Sequence, residues 1–158
     1  GTLQFQPFEM IYLDEETIGE PYMTFTKMQK ETLPKGSPVL NCHIQQGADL
    51  SRQSVAISFR KAKLFFSQHF PMVKYKAFLC YSWLLYPPML KYLSEQSHIK
   101  QFASNFSVIG FCDDPEQATE NLFGNGMGKE LPANVTSLQK LAIEHIELFG
   151  FACGIHYI

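Results

Sequence analysis

The chain has no long apolar run. Its longest such stretch, Ala77 to Leu85, is broken by Ser82 and stays short of the roughly 20 apolar residues that a membrane-crossing helix needs. Gly1 to Phe8 carry neither the cationic nor the apolar region of a secretory signal. The cysteines are few and scattered. Cys42, Cys80, Cys112 and Cys153 form no C-x-x-C pair, so a zinc site of the usual spacing, or any metal, is not expected. Without a secretion signal they read as buried, reduced thiols of a cytoplasmic protein. Charge is sparse as well. Thirteen Lys and Arg against fifteen Asp and Glu leave a net charge of −2 and a pI near 6.2. That balance points to neither a nucleic-acid partner nor an anionic membrane. No internal repeat and no low-complexity run interrupts the sequence.

What is present is a sequence able to build a core. Residues 1–158 suit one domain, 46% of them are hydrophobic, and fourteen Phe and seven Tyr make them rich in aromatics. The chain opens on Gly1, not Met, which predicts the C-terminal part of a longer protein, with an upstream N-terminal domain as its partner.

Hydrophobic spacing predicts three early strands, one through Leu3, Phe5, Ile11 and Leu13, one at Met23 and Phe25, and one through Val39, Leu40, Cys42 and Ile44. An acidic turn over Asp14 to Pro21 separates the first two. Ser51 is a good N-cap for a helix of about five turns, with Val55, Phe59, Ala62 and Phe66 on one stripe, ended by Pro71. Tyr75 to Leu85 reads as a buried central strand. Pro87 and Pro88 suit a first helical turn, and Ser97 opens a second short helix. Ser107 to Cys112 is a further strand. Asp114 caps a helix from Pro115 to about Phe123. Gly124 to Gly128 reads as a flexible connection. Thr136 or Ser137 caps a last helix bearing Leu138, Leu141, Ala142, His145 and Phe149, with Gly150 as its stop. Phe151 to Ile158 is the final strand. The strand–helix–strand unit in the middle implies a right-handed parallel crossover, and the early strands imply antiparallel pairing. The expected fold class is α/β (α+β mixed), a mixed sheet flanked by helices. Phe59, Ala62, Phe66, Phe78, Cys80, Leu141 and Ile146 are the expected core.

The turn from Ile44 to Ser54 carries the strongest chemical signal. A strand ends, Gly47 permits a tight turn, and a long helix begins. The first amides of a helix lack internal partners and can hold an anion, with Arg52 as a nearby cation. Asp49 opposes that use if its carboxylate faces the same amides; an ordinary capped turn is the plainer alternative. His43, near the strand's end, faces away from Cys42 and Ile44 and can serve as a general base or simply as a polar surface residue. Ser82 has no identified base to activate it. Trp83 reads as core or pocket wall.

Several strings resemble the GNAT-like C-terminal domain of bacterial acyltransferase domain-containing proteins. These are AKLFFSQHF over Ala62–Phe70, Tyr75 to Leu85 with its Ser-Trp-Leu-Leu motif, Leu40-Asn41-Cys42-His43-Ile44 with Gly47, and Ser97 to Phe102. Leu3-Gln4-Phe5 and Thr136 to Gln139 extend the likeness over nearly the whole chain. The resemblance implies a GNAT-like sheet that binds acyl-coenzyme A where two parallel strands splay apart. It places the cofactor-binding residues at Ile44, Gln45, Gln46, Gly47, Ala48 and Arg52 on one side and Ser82, Trp83 and Leu84 on the other. It makes Tyr92 a candidate acid for the departing thiolate and leaves His43 as the base. The segment Gln45 to Leu50 departs from the family's phosphate-loop pattern.

Three functions compete on this reading. The first is an acyl-CoA-dependent N-acyltransferase acting on a small-molecule or peptide amine, or a hydroxyl. The second is a non-catalytic GNAT-like module that binds a ligand or partner domain. The third is a cysteine hydrolase or transferase built on Cys80 or Cys42, opposed by the facing-apart of Cys42 and His43.

Overall fold

The computed structural model describes residues 2–124 and 136–158. The sheet has five strands, β1 (Leu3–Glu9), β2 (Pro38–Ile44), β3 (Ala77–Ser82), β4 (Ser107–Cys112) and β5 (Phe151–Tyr157), in the order β1-β2-β3-β5-β4. β1 runs antiparallel to β2, β2 parallel to β3, and β5 antiparallel to both β3 and β4. Among the described residues seven α-helices connect or flank them: α1 (Glu15–Ile18), α2 (Lys27–Thr32), α3 (Arg52–His69), α4 (Pro87–Leu90), α5 (His98–Ala103), α6 (Glu116–Phe123) and α7 (Ser137–Glu144). The mixed sheet flanked by helices is the fold class the sequence predicts, with α3 as the crossover between parallel neighbours β2 and β3.

Alternation along the strands sends side chains to two cores. On one face Leu40, Cys42, Phe78 and Cys80 pack under the α3 stripe of Val55, Phe59, Ala62 and Phe66, joined by Phe102 and Phe106. Phe59 is the hub, with ring centroids 4.8 Å from Phe78 and 5.0 Å from His156. On the other face Val39, Leu79, Cys153 and Ile155 are covered by Met10, Tyr12, Met23 and Leu33.

That covering corrects the N-terminal reading. β1 stops at Glu9, and neither Ile11 and Leu13 nor Met23 and Phe25 join the sheet. Met10, Tyr12 and Met23 are buried because the segment lies across the sheet, so their alternation records face packing without strand pairing. The polar residues between them act as helix signals. Asp14 accepts the Thr17 amide at 3.1 Å to cap α1, and Thr26 with Gln29 forms a capping box for α2.

Three further readings change. β3 ends at Ser82, and Trp83–Leu85 form a 3₁₀ turn in which the Ser82 hydroxyl accepts the Leu84 amide at 3.1 Å. α7 stops at Glu144, well before Gly150, and a 3₁₀ turn over Ile146–Leu148 follows. Ile146 is therefore exposed and Leu141 only half-buried, while Phe59, Ala62, Phe66, Phe78 and Cys80 are buried as expected. Positions 125–128 of the glycine-rich stretch lie outside the described residues.

Close packing seats the 3₁₀ turn. Gly154 of β5 leaves the space that Leu85 fills; a Cβ there would stand 2.5 Å from the Leu85 Cδ1 and 3.0 Å from the Phe106 Cβ. At the outer edge, Pro7 of β1 lies opposite Leu40.

Phe66→Ala should lower stability by about 3–5 kcal/mol, the cost of a large core truncation, read from denaturant unfolding. Asp14 gives a pH-dependent counterpart. Burial pushes its carboxyl up, but hydrogen bonds from Lys30 and the Thr17 amide, with the Lys30 charge, outweigh burial and hold it below the ordinary carboxylate range. A depressed carboxyl stabilises the fold above its unfolded value near 3.9 and loses that stabilisation as pH falls through the folded value. Asp14→Asn should therefore be less stable than wild type at pH 7. The gap should close below about pH 4, as followed by urea titrations at both pH values.

Candidate functional site

β2 and β3 are hydrogen-bonded neighbours for only three residue pairs, Val39 with Ala77, Leu40 with Phe78 and Asn41 with Leu79. Beyond them the strands part. Cys42, His43 and Ile44 remain paired to β1 alone, and Cys80, Tyr81 and Ser82 to β5 alone. Each strand thus turns a backbone edge without a strand partner toward the gap. Between the parted ends lies a cavity of about 310 Å³. It sits at the carboxyl ends of two parallel strands, where open α/β sheets place their ligands.

The β2 side of the cavity is the turn after the strand. Gln45 accepts the Ala48 amide through its backbone carbonyl at 3.1 Å, and Gly47 takes φ +80, the left-handed conformation that this tight turn requires. The β3 side is Ser82 and the 3₁₀ turn. Ile44, Gln45, Gln46, Gly47, Ala48, Ser82, Trp83 and Leu84, all expected from the sequence, line this one cavity together with His43. Arg52 and Tyr92 are not brought to it. Arg52 opens α3 as an exposed residue outside the lining, and Tyr92 follows α4 with 65% of its surface exposed.

Sequence reasoning missed the far wall. Gln117 and Asn121 of α6, Ile99 of α5 and Leu138 of α7 also line the cavity. Gln117 Oε1 accepts the Trp83 amide at 2.9 Å, and Gln139 Nε2 donates to the Leu122 carbonyl at 2.6 Å, tying α7 to α6. The one sequence signal for this wall is the i, i+4 spacing of Gln117 and Asn121, a weak one on a short polar helix.

The start of α3 is already occupied in part. Ser51 makes no side-chain cap; Asp49 replaces it, accepting the Ser51 amide at 2.9 Å and the Ser54 hydroxyl at 2.6 Å. Those hydrogen bonds, Ser54 first, hold the Asp49 carboxyl below its ordinary value. A fixed negative charge therefore stands where an anion would meet the Ser51 amide.

His43 stands on the sheet face opposite to Cys42 and Ile44. Its Nε2 lies 3.2 Å from Gln6 Oε1 and 3.3 Å from Asn41 Nδ2; carrying a proton it donates to Gln6, and without one it accepts from Asn41. Tyr81 also borders the cavity, yet its hydroxyl is engaged elsewhere, donating to the Ile11 carbonyl at 2.7 Å and accepting the Leu13 amide at 3.2 Å. Burial, first, and the neighbouring Cys153 raise its pKa far out of reach of acid–base work. The thiols fare no better. A hydrogen bond with Cys42 and complete burial push the Cys80 thiol up, and burial lifts Cys153 to about 12. A thiolate nucleophile is disfavoured at both. Among the described residues, no group of three or more His, Cys, Asp or Glu side chains could hold a metal ion.

Several known proteins share this architecture. The chain is 26% identical to an acyltransferase solved in complex with decanoyl-CoA, with a TM-score of 0.66 over 86% of this chain and 43% of that one. At 22% identity it matches an acyltransferase mutant in complex with octanoyl-CoA (TM-score 0.69, 100% of this chain and 45% of that one). A similar match, again at 22%, is an acyltransferase in complex with decanoyl-CoA and teicoplanin (TM-score 0.67, 99% and 45%). The chain thus spans less than half the length of these proteins. No curated protein matches it. The family described as the GNAT-like C-terminal domain matches residues 1–152, nearly the whole chain, and the chain belongs to that family.

Proposed function

We propose that this chain is the acyl-CoA-binding part of an acyltransferase that passes an acyl group from acyl-coenzyme A to an amine or hydroxyl acceptor. One observation carries the reading: the parting of parallel strands β2 and β3 into a cavity at their carboxyl ends. Acyl-CoA complexes among the similar acyltransferases support it. In this proposal an upstream N-terminal domain completes the site and contributes to acceptor binding; the greater length of the similar acyltransferases supports it. The acceptor is a small molecule or peptide; one similar protein is bound to teicoplanin. The free cysteines suit a cytoplasmic location, and no helix among the described residues is long and apolar enough to cross a membrane.

In this reading the thioester carbonyl lies between the parted strands, where unpaired backbone amides polarise it. The acceptor's nitrogen or oxygen attacks the carbonyl carbon, the carbon–sulfur bond breaks, and coenzyme A leaves as the thiolate. His43 takes the proton that the acceptor loses. Arg52 supplies a cation outside the cavity, toward the diphosphate end of the ligand. Tyr92, exposed and away from the cavity, reaches the departing sulfur only if the loop after α4 moves. A second reading, a non-catalytic GNAT-like binding module, is favoured by one feature, the Asp49 carboxylate at the start of α3.

Isothermal titration with octanoyl-CoA tests the binding claim. Wild type should bind, and Gly47→Val should bind at least about tenfold more weakly, since a β-branched residue at φ +80 is strained and must reshape the turn. A Cβ at Gly47 meets nothing within 4 Å, so the core is untouched. Absence of binding by wild type joined to its upstream domain would sink the acyl-CoA reading. In that same longer protein, His43→Ala should lower kcat by about 10²–10⁴ with octanoyl-CoA affinity unchanged. An unchanged kcat would remove His43 as the base.

A further inference from the structure

The net charge of −2, which by itself points away from an anionic membrane, averages two unlike regions. Between Asp49 and Glu95 the chain carries seven of its thirteen Lys and Arg and no acidic residue. Five of the seven, Arg60, Lys61, Lys63, Lys74 and Lys76, lie on α3 and the loop from it to β3. All five are exposed, and among the described residues none makes a salt bridge. The loop between them is a β-turn over Phe70–Val73. The Val73 amide donates to the Phe70 carbonyl at 3.1 Å, and Pro71 stands at the second position, where its fixed φ suits the turn. Surface turns ordinarily take Gly, Asn, Asp or Ser. Here the other three positions are Phe70, Met72 and Val73, all exposed, and Met72 at the tip shows 93% of its surface. Core packing holds the turn in place. Phe70 stacks on the buried Phe66 with centroids 5.8 Å apart, Tyr75 meets the same ring at 5.6 Å, and Phe65 flanks it at 5.1 Å.

Sheet register places this surface. The Lys76 amide donates to the Pro38 carbonyl at 2.9 Å and the Ile158 amide to the Lys76 carbonyl at 3.1 Å, so the turn stands at the amino ends of β2 and β3. Exposed Phe8, Tyr157 and Ile158 lie along the same end, as does the acidic Glu9 opposite Pro38. The cavity lies at the carboxyl ends, across the length of the sheet. We propose that this amino end is a docking surface for an anionic lipid bilayer. Phe70, Met72 and Val73 enter the headgroup layer, and Lys61, Lys74 and Lys76 meet its phosphates. The proposal is independent of the acyl-CoA reading. Two observations favour a bilayer over a protein partner. A stable protein interface takes about 800 Å² a side of interlocking surface, whereas a bilayer receives a protruding tip of any shape. Lysines without acidic neighbours match a surface of uniform negative charge, and their long stems reach phosphates around an inserted apolar tip. Docked in this way, the molecule keeps its cavity at the end of the sheet turned away from the lipid.

The test is co-sedimentation with vesicles of equal parts phosphatidylglycerol and phosphatidylcholine, and with vesicles of phosphatidylcholine alone. It is run on the chain by itself and on the chain joined to its upstream domain. Both proteins should bind the anionic vesicles, release them as salt rises, and leave the neutral ones unbound. Met72→Asp should bind about tenfold more weakly, and the double variant Lys74→Gln, Lys76→Gln should lose a similar factor. Met72→Ser adds no charge, separates loss of the anchor from repulsion, and should weaken binding about threefold. All three residues are exposed, so melting should not change. Equal binding by wild type and the variants would overturn the proposal, as would equal binding to neutral vesicles or none to anionic ones. Binding that the longer protein loses would overturn it too, assigning the turn to the contact with the upstream domain. Self-association that Met72→Asp abolishes, without vesicle binding, would overturn it in favour of a second copy. Each of these failures leaves acyl-CoA binding standing.

Discussion

Everything at the site depends on how soon two parallel strands stop holding each other. β2 and β3 share three residue pairs and then follow different partners, β2 the antiparallel β1 and β3 the antiparallel β5. Right-handed twist turns neighbouring strands relative to one another, and beyond Asn41 and Leu79 no β2–β3 pairing opposes it. The cost is a set of backbone groups without sheet partners. Part of it is met within the chain, where a Gln117 side chain takes the Trp83 amide. The remainder is left for whatever enters. A site built this way needs few special side chains, which is why no motif of charged or nucleophilic residues stands out along the sequence.

The supporting layers keep the gap open. On one face α3 packs on the paired part of the two strands through the Phe59 cluster, and the strands part beyond it. On the other face the segment from Met10 to Leu33 covers the paired part, with Asn41 half-buried, and leaves His43 and Gln6 exposed. The 3₁₀ turn after β3 is seated from below by the space above Gly154. Together these place Trp83 and Leu84 as a firm wall, facing a turn whose geometry is set by Gly47.

Much of this was legible in the sequence where local and long-range signals agree. The α3 stripe, the Ser107–Cys112 strand and the Thr136 cap coincide with the structure because amphipathic spacing, caps and burial all point the same way. The cavity's β2 and β3 sides were readable too, as the ends of two strands flanking a long crossover helix. The N-terminal third misled because alternation also arises when an extended segment lies flat on a sheet face, as Met10 and Tyr12 do. Trp83–Leu85 looked like strand because an apolar, β-prone run does not announce that a serine hydroxyl will cap a turn inside it. Gln117 and Asn121 were invisible: their importance comes from where α6 docks, a long-range fact with no local signature.

Pro7 has a consequence for assembly. β1 is the outermost described strand on its side, and its pairing with β2 persists through Pro7. Proline has no N–H, so the missing donor falls on the side away from β2. An additional strand approaching that rim would find its ladder interrupted midway. Sheet-to-sheet joining of copies along β1 is therefore discouraged by a residue that removes a donor from this border.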